Sequence, residues 1–186
     1  MSEYDQLRKI LDEHFLAPNQ NQMKEEKGNT HTAQCINIDD GRRGIPLDLY
    51  RFDLDNQEFL PFFNKKHQTS PVGLRKFCDY ILICEYNGYT YILLVELKRG
   101  RTIGADKQLN ASETFIHYLF ETAERLHKDF NDSKFERKNV LVRKIILEKK
   151  KSNKQNTHEY AVPDLTQEFL FYSKEKFYLI DFMKKK

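Results

Sequence analysis

Asp79, Glu96 and Lys98 are the residues of this chain whose types and spacing could do chemistry together. They lie in two runs, Phe77 to Tyr86 and Tyr89 to Lys98, both rich in Tyr, Ile, Leu and Val and separated by Asn87-Gly88 alone. That dipeptide is the strongest short-range signal for a two-residue type I′ hairpin turn. Tyr86 is therefore expected to pair with Tyr89 and, counting outward, Asp79 with Glu96. The 79/96 pair falls on the non-hydrogen-bonded kind, where Cα atoms approach to roughly 4.5 Å. Side chains two apart share a face, which brings Lys98 to the same side. Opposed like charges destabilise a sheet, and Ile81, Ile83, Ile92 and Leu94 imply that this face is largely buried. Two carboxylates there need a cation or a shared proton. Oxygen ligands without His or Cys select a hard divalent ion such as Mg²⁺ or Mn²⁺. A lysine beside them offsets charge and can position or deprotonate a water, while the ion would polarise a phosphate and stabilise charge on the attacking and leaving oxygens.

The elements that must position these residues follow from periodicity. Tyr4, Leu7, Leu11 and Phe15 form one stripe at helical spacing over residues 4–15, and Pro18 with the polar stretch through Asn29 ends that helix. Residues 47–54 alternate as a strand does, and residues 60–73, with Pro61, Pro71 and Gly73, form a loop. After the hairpin, Leu109, Ser112, Ile116, Leu119, Ala123 and Leu126 recur at spacings of three and four, which predicts a long amphipathic helix over 105–128. A strand at 140–147 follows, then a C-terminal hairpin of Glu168–Tyr172 with Phe177–Phe182. The order predicts a single α/β domain over residues 1–186, a sandwich built on a central mixed sheet flanked by helices, with extra strands over 168–182.

Asp79 at the start of one strand and Glu96-Leu97-Lys98 at the end of the next, followed by a basic loop and a helix, resemble the PD-(D/E)XK nuclease superfamily over roughly residues 75–147. The resemblance implies a restriction-endonuclease-like fold and metal-dependent hydrolysis of phosphodiester bonds in nucleic acid, with DNA favoured and RNA left open, in defence, restriction or repair. It implies that Asp79, Glu96 and the Leu97 carbonyl bind Mg²⁺ or Mn²⁺ and that Lys98 is the catalytic lysine. Gln108 stands where many members carry a glutamine that touches the substrate backbone, although a plain polar residue in a first helical turn reads the same way. Arg99 and Arg101 beside the site would contact phosphates. Cys78 occupies the family's nominal proline position, and the first helix offers no clean equivalent of the extra glutamate that some members carry. Glu13 projects opposite the apolar stripe and Glu3 borders it. The competing reading keeps the fold but not the chemistry: a module that grips nucleic acid or a partner protein without cleaving.

The remaining composition narrows the field. With 39% hydrophobic and 32% charged residues, 14 Phe and 10 Tyr, the chain is too aromatic for disorder and expects a heavily charged surface. Net charge is only +3, but the excess is clustered in Lys98-Arg99-Gly100-Arg101, Arg143-Lys144, Lys149-Lys150-Lys151 with Lys154, and Lys184-Lys185-Lys186. Such clusters together suit a polyanion; each alone reads better as a solvated loop or tail. Three cysteines, Cys35, Cys78 and Cys84, without a CxxC pair argue against a disulfide framework or a zinc site and for a reduced, cytoplasmic setting. Cys78 and Cys84 sit in apolar sequence as small hydrophobes. The acidic start lacks a signal-peptide core, and the apolar run Tyr91 to Val95 is too short to span a bilayer, so no membrane partner is expected. None of the six histidines has metal-ligand spacing to another, and no GxxxxGK[ST] or GxGxxG string is present. Gly100 to Ala105 could hold a phosphate but reads as a connecting loop. Symmetric duplex cleavage would favour a homodimer.

Overall fold

The computed structural model describes residues 1–24, 35–41, 43–51, 77–98, 104–127, 134–148, 167–172 and 176–183. A first helix, α1 (Glu3–Ile10), precedes β1 (Gln22–Lys24), β2 (Cys35–Asp39) and β3 (Leu47–Arg51). Then come β4 (Tyr80–Tyr86), β5 (Tyr89–Lys98), the long helix α2 (Ala105–Leu126), β6 (Val140–Glu148), β7 (Phe169–Tyr172) and β8 (Lys176–Tyr178). The main sheet has the order β3-β4-β5-β6-β7, antiparallel through β3, β4 and β5 and parallel from β5 to β7. A second sheet, β1-β2-β8, pairs β1 antiparallel and β8 parallel to β2. The protein is thus α/β with a mixed central sheet.

The hairpin between β4 and β5 has the expected register. Tyr86 pairs with Tyr89 and the ladder runs out to Tyr80 opposite Val95. Asn87 and Gly88 both have positive φ, 51° and 74°, as a type I′ turn demands. β5 is the strand on which everything else is layered. Tyr91, Leu93, Val95 and Leu97 enter one core, and Ile92 and Leu94 enter the other. A strand buried on both faces must be apolar almost throughout, which is why Glu96 stands out in it.

The two cores have different covers. α1 and α2 lie on one face, where Leu7, Leu109, Ile116, Leu119 and Phe120 pack against Ile81, Ile83, Ile92 and Leu94. Among the described residues, the other face carries the small sheet, through Met23, Ile36, Phe177, Leu179, Phe182 and Met183. This second layer was not expected. β1 offers a single apolar residue, Met23, in a polar run, so no periodicity marks it.

Two expectations are corrected, and part of a third lies outside the described residues. The first helix stops at Ile10 rather than running to Phe15: Leu11 is extended, and Asp12 takes the His14 amide at 2.8 Å, starting a separate 3₁₀ turn over Glu13–Phe15. A short acidic side chain that satisfies the backbone locally competes with helix propagation. The strand at 47–54 is described to Arg51; its last three residues and the loop at 60–73 lie outside the described residues. The C-terminal hairpin does not form. β7 joins β6 in the main sheet, while β8 crosses to pair with β2. The crossing is held by Tyr172, whose hydroxyl accepts from the Tyr178 amide at 3.1 Å and whose ring packs on Phe177 and Phe182.

The hairpin turn yields a first prediction. Replacing Asn87-Gly88 by Val-Val forces two β-branched residues into positive φ, at a cost of about 1–2 kcal/mol each. Denaturant unfolding should show a loss of roughly 2–4 kcal/mol. A variant as stable as the parent would show that the turn does not hold the register.

Candidate functional site at the parted end of the hairpin

The two strands separate where the charged residues stand. Regular pairing ends at Tyr80 and Val95. Beyond it the alternation breaks, because Tyr80 enters one core and Cys78 enters the helical one. The Cys78 amide donates to Ser112 Oγ on α2 at 2.8 Å instead of to β5. The gap is closed by side chains. Asp79 Oδ2 accepts the Leu97 amide at 2.7 Å, and the Asp79 amide donates to Glu96 Oε2 at 3.2 Å. The regular 79/96 pair expected from the register does not form, because β4 begins at Tyr80; Asp79 and Glu96 instead meet just beyond the last ladder pair, linked crosswise through each other's strand.

Lys98 joins them on the helical face. Its Nζ lies 2.6 Å from Glu96 Oε1 and donates to Gln108 Oε1 at 3.1 Å. Gln108 Nε2 donates to the Phe77 carbonyl at 3.2 Å. The structure thus brings Asp79, Glu96, Lys98 and Gln108 together. Arg99 and Arg101 lie outside the described residues, as do the lysine clusters at 149–154 and 184–186.

The electrostatics follow from burial. The Glu96 residue is only 2% exposed, whereas Asp79 and Lys98 are half-buried, so the site is deepest at Glu96. Burial first, and then the Asp79 carboxylate, push the Glu96 carboxyl up to about 8, against the pull of Lys98. One ammonium is not enough to hold two close carboxylates ionised. Among the described residues, no cluster of three or more His, Cys, Asp or Glu side chains could hold a metal ion. The donor set still fits one: two opposed carboxylates with excess negative charge and only oxygen donors suit a hard divalent cation. The Leu97 N–H and C=O share one side of an extended strand, so the carbonyl lies on the side of Asp79.

Other expected residues fall elsewhere. Glu3 Oε1 accepts from Asn139 at 3.1 Å, and Glu13 belongs to the 3₁₀ turn after α1. Lys144, counted above in a basic cluster, is turned inward and bonds Asn110, Glu113 and Glu168 at 2.9–3.0 Å. Burial works against its charge, but Glu168 and Glu113 outweigh this and hold its pKa above the usual lysine value. It is a tie within the fold and not a surface cation. Cys78 and Cys84 are buried, and burial pushes both thiols upward, as small hydrophobes in a core should behave. Ser112 is the site neighbour that periodicity concealed. It sits on the apolar stripe of α2, fully buried, and that was its signal: a hydroxyl there needs a partner.

The raised Glu96 pKa gives a second prediction. The unfolded chain loses this proton near 4.5 and the folded, metal-free protein near 8, so folding retains a proton in between. The stability contributed is complete below the unfolded value and is lost as pH rises toward 8, by about 1.4 kcal/mol per pH unit. Without divalent ions, Glu96→Gln should lack this slope and gain on the parent steadily between pH 5 and 8. Parallel pH–stability curves for the two proteins would refute the assignment. Comparison with known proteins finds no matching family, no similar curated protein and no similar solved structure, so the chemistry of this site rests on its own residues and geometry.

Proposed function

We propose that this chain is a divalent-metal-dependent nuclease with a restriction-endonuclease-like fold, hydrolysing phosphodiester bonds of nucleic acid, DNA in preference to RNA. The observation that carries the reading is the meeting of Asp79 and Glu96 at the parted end of the β4–β5 hairpin, with the Lys98 ammonium on Glu96. Asp79, Glu96 and the Leu97 carbonyl would hold Mg²⁺ or Mn²⁺. When bound, that ion supplies a Lewis acid that polarises the scissile phosphate and offsets charge on the attacking and leaving oxygens.

The chain's own residues do the rest. Asp79 and Glu96 present negative charge on one face, fixed by bonds to opposite strands rather than by free rotation. Lys98, with its ammonium beside Glu96, would orient a water or a phosphate oxygen and move a proton. Its hold on Gln108 keeps it there when its bond to Glu96 is given up. The buried floor beneath Glu96 excludes bulk water, so these charges act in a medium of low effective dielectric.

Asp79→Ala, Glu96→Ala and Lys98→Met should each reduce cleavage to below about one hundredth of the parent rate. The assay offers single- and double-stranded DNA and RNA, with Mg²⁺ or Mn²⁺ and with a chelator. Calorimetry separates the roles: the carboxylate variants lose divalent binding, whereas Lys98→Met binds Mn²⁺ several-fold more tightly because a competing cation has gone. Parent-like turnover in any of the three variants would overturn the assignment. Binding of nucleic acid by the parent with no cleavage under any of these conditions would favour a fold retained as a binding module.

A further inference from the structure

Gln108 and Ser112 stand one turn apart on α2 and grip two consecutive residues of the strand leading to Asp79. Ser112 Oγ accepts the Cys78 amide at 2.8 Å and donates to the Gln108 carbonyl at 2.9 Å. Gln108 Nε2 donates to the Phe77 carbonyl at 3.2 Å, and its Oε1 accepts from Lys98 at 3.1 Å. Spacing of four places both side chains on the same helix face, so they act on the strand as a pair.

From this clasp we infer that Gln108 and Ser112 are positioning residues: α2 draws residues 77–78 off β5 and thereby sets Asp79 opposite Glu96. A continued ladder would pair Cys78 with Leu97, and the Leu97 amide would be consumed by the backbone. In that pair the Cys78 N–H would donate to the Leu97 carbonyl and the Leu97 N–H to the Cys78 carbonyl; with the Cys78 N–H turned to Ser112 and the strand parted there, the Leu97 amide donates to the Asp79 carboxylate instead, at 2.7 Å. The same glutamine sets the Lys98 ammonium, so one residue places the acidic strand end and the basic side chain relative to each other. In this role both hydrogen-bonding atoms of Gln108 are engaged within the protein, unlike the substrate contact that its place in the helix suggests.

The inference rests on the proposed nuclease site for its functional consequence, but not for its geometry. Its test therefore has a metal-free arm and a metal arm, both on the full chain. Ser112→Ala and Gln108→Ala are compared with Thr122→Ala, which also removes a buried hydroxyl bonded to a helix carbonyl on α2. In metal-free protein, residue-resolved hydrogen exchange should show the Leu97 amide exchanging about tenfold faster in the first two variants. The Leu93 amide in the regular ladder and the Thr122→Ala control should stay at parent values. In the second arm, Mn²⁺ affinity by electron paramagnetic resonance should fall about 10–100-fold in the clasp variants, as for other residues that orient metal ligands. Unchanged Leu97 exchange and Mn²⁺ affinity in both clasp variants would overturn the inference. So would a loss of protection spread evenly over β4 and β5, which marks a merely weakened fold. If Ser112→Ala does not fold, the half-buried Gln108→Ala decides alone. If the parent binds no Mn²⁺, the nuclease reading fails, and the clasp stands or falls on Leu97 exchange.

Discussion

Glu96 stands near the end of a strand that is apolar nearly everywhere else, at a depth where a carboxylate cannot keep its charge without help, and Asp79 meets it from the segment leading into the neighbouring strand. Transferring one ionised carboxylate into such surroundings is costly, and a second beside it compounds the cost. The local architecture is arranged around this constraint. Lys98 supplies one positive charge at 2.6 Å, backbone amides donate to both carboxylates, and the remaining imbalance raises the Glu96 pKa. A site that is under-neutralised in this way binds a cation more favourably than one already balanced, at the expense of stability in its absence.

Such a site needs a rigid surround, and the two cores supply it. Each fully buried Leu, Ile or Phe contributes about 1.5–3 kcal/mol, and β5 is lined with them on both faces. The small sheet locks the far side. Tyr80, the last residue of the regular ladder, exchanges hydrogen bonds with both backbone groups of Lys24 at 2.7–2.8 Å, and Tyr91 donates to the Met183 carbonyl at 3.0 Å. The strand ends next to the carboxylates are thus anchored from behind.

On the near side, α2 is fastened to the sheet at separate points. Lys144 on β6 binds Asn110 and Glu113 and continues to Glu168 before β7, while Gln108 and Ser112 hold the strand end ahead of Asp79. At the other end of the helix, Arg137 closes on Glu121 and Glu124. These exposed ion pairs contribute little energy individually. The buried ties matter more, because an unpaired amide or ammonium in a core would be penalised. The helix can therefore impose a position on the strand rather than follow it.

Much of this was legible in the sequence because it depends on local rules. Asn87-Gly88 dictated turn type and register, so the pairing out to Tyr80 and Val95 followed from counting, and it brought Asp79 and Glu96 to the next position along. The 3.6-residue period marked α2, and the two-residue period carried Glu96 and Lys98 to one face of β5. What the sequence could not determine involves contacts between distant segments. The small sheet joins β1, β2 and β8 from opposite parts of the chain, and its short strands have no periodicity strong enough to announce pairing at that range. For the same reason β8 paired with β2 rather than with β7. Lys144 looked like a surface cation until the acceptors that bury it were brought beside it. The parting of β4 from β5 was likewise decided in three dimensions: a ladder that could have continued gave way because a serine and a glutamine on α2 offered its backbone better-placed partners.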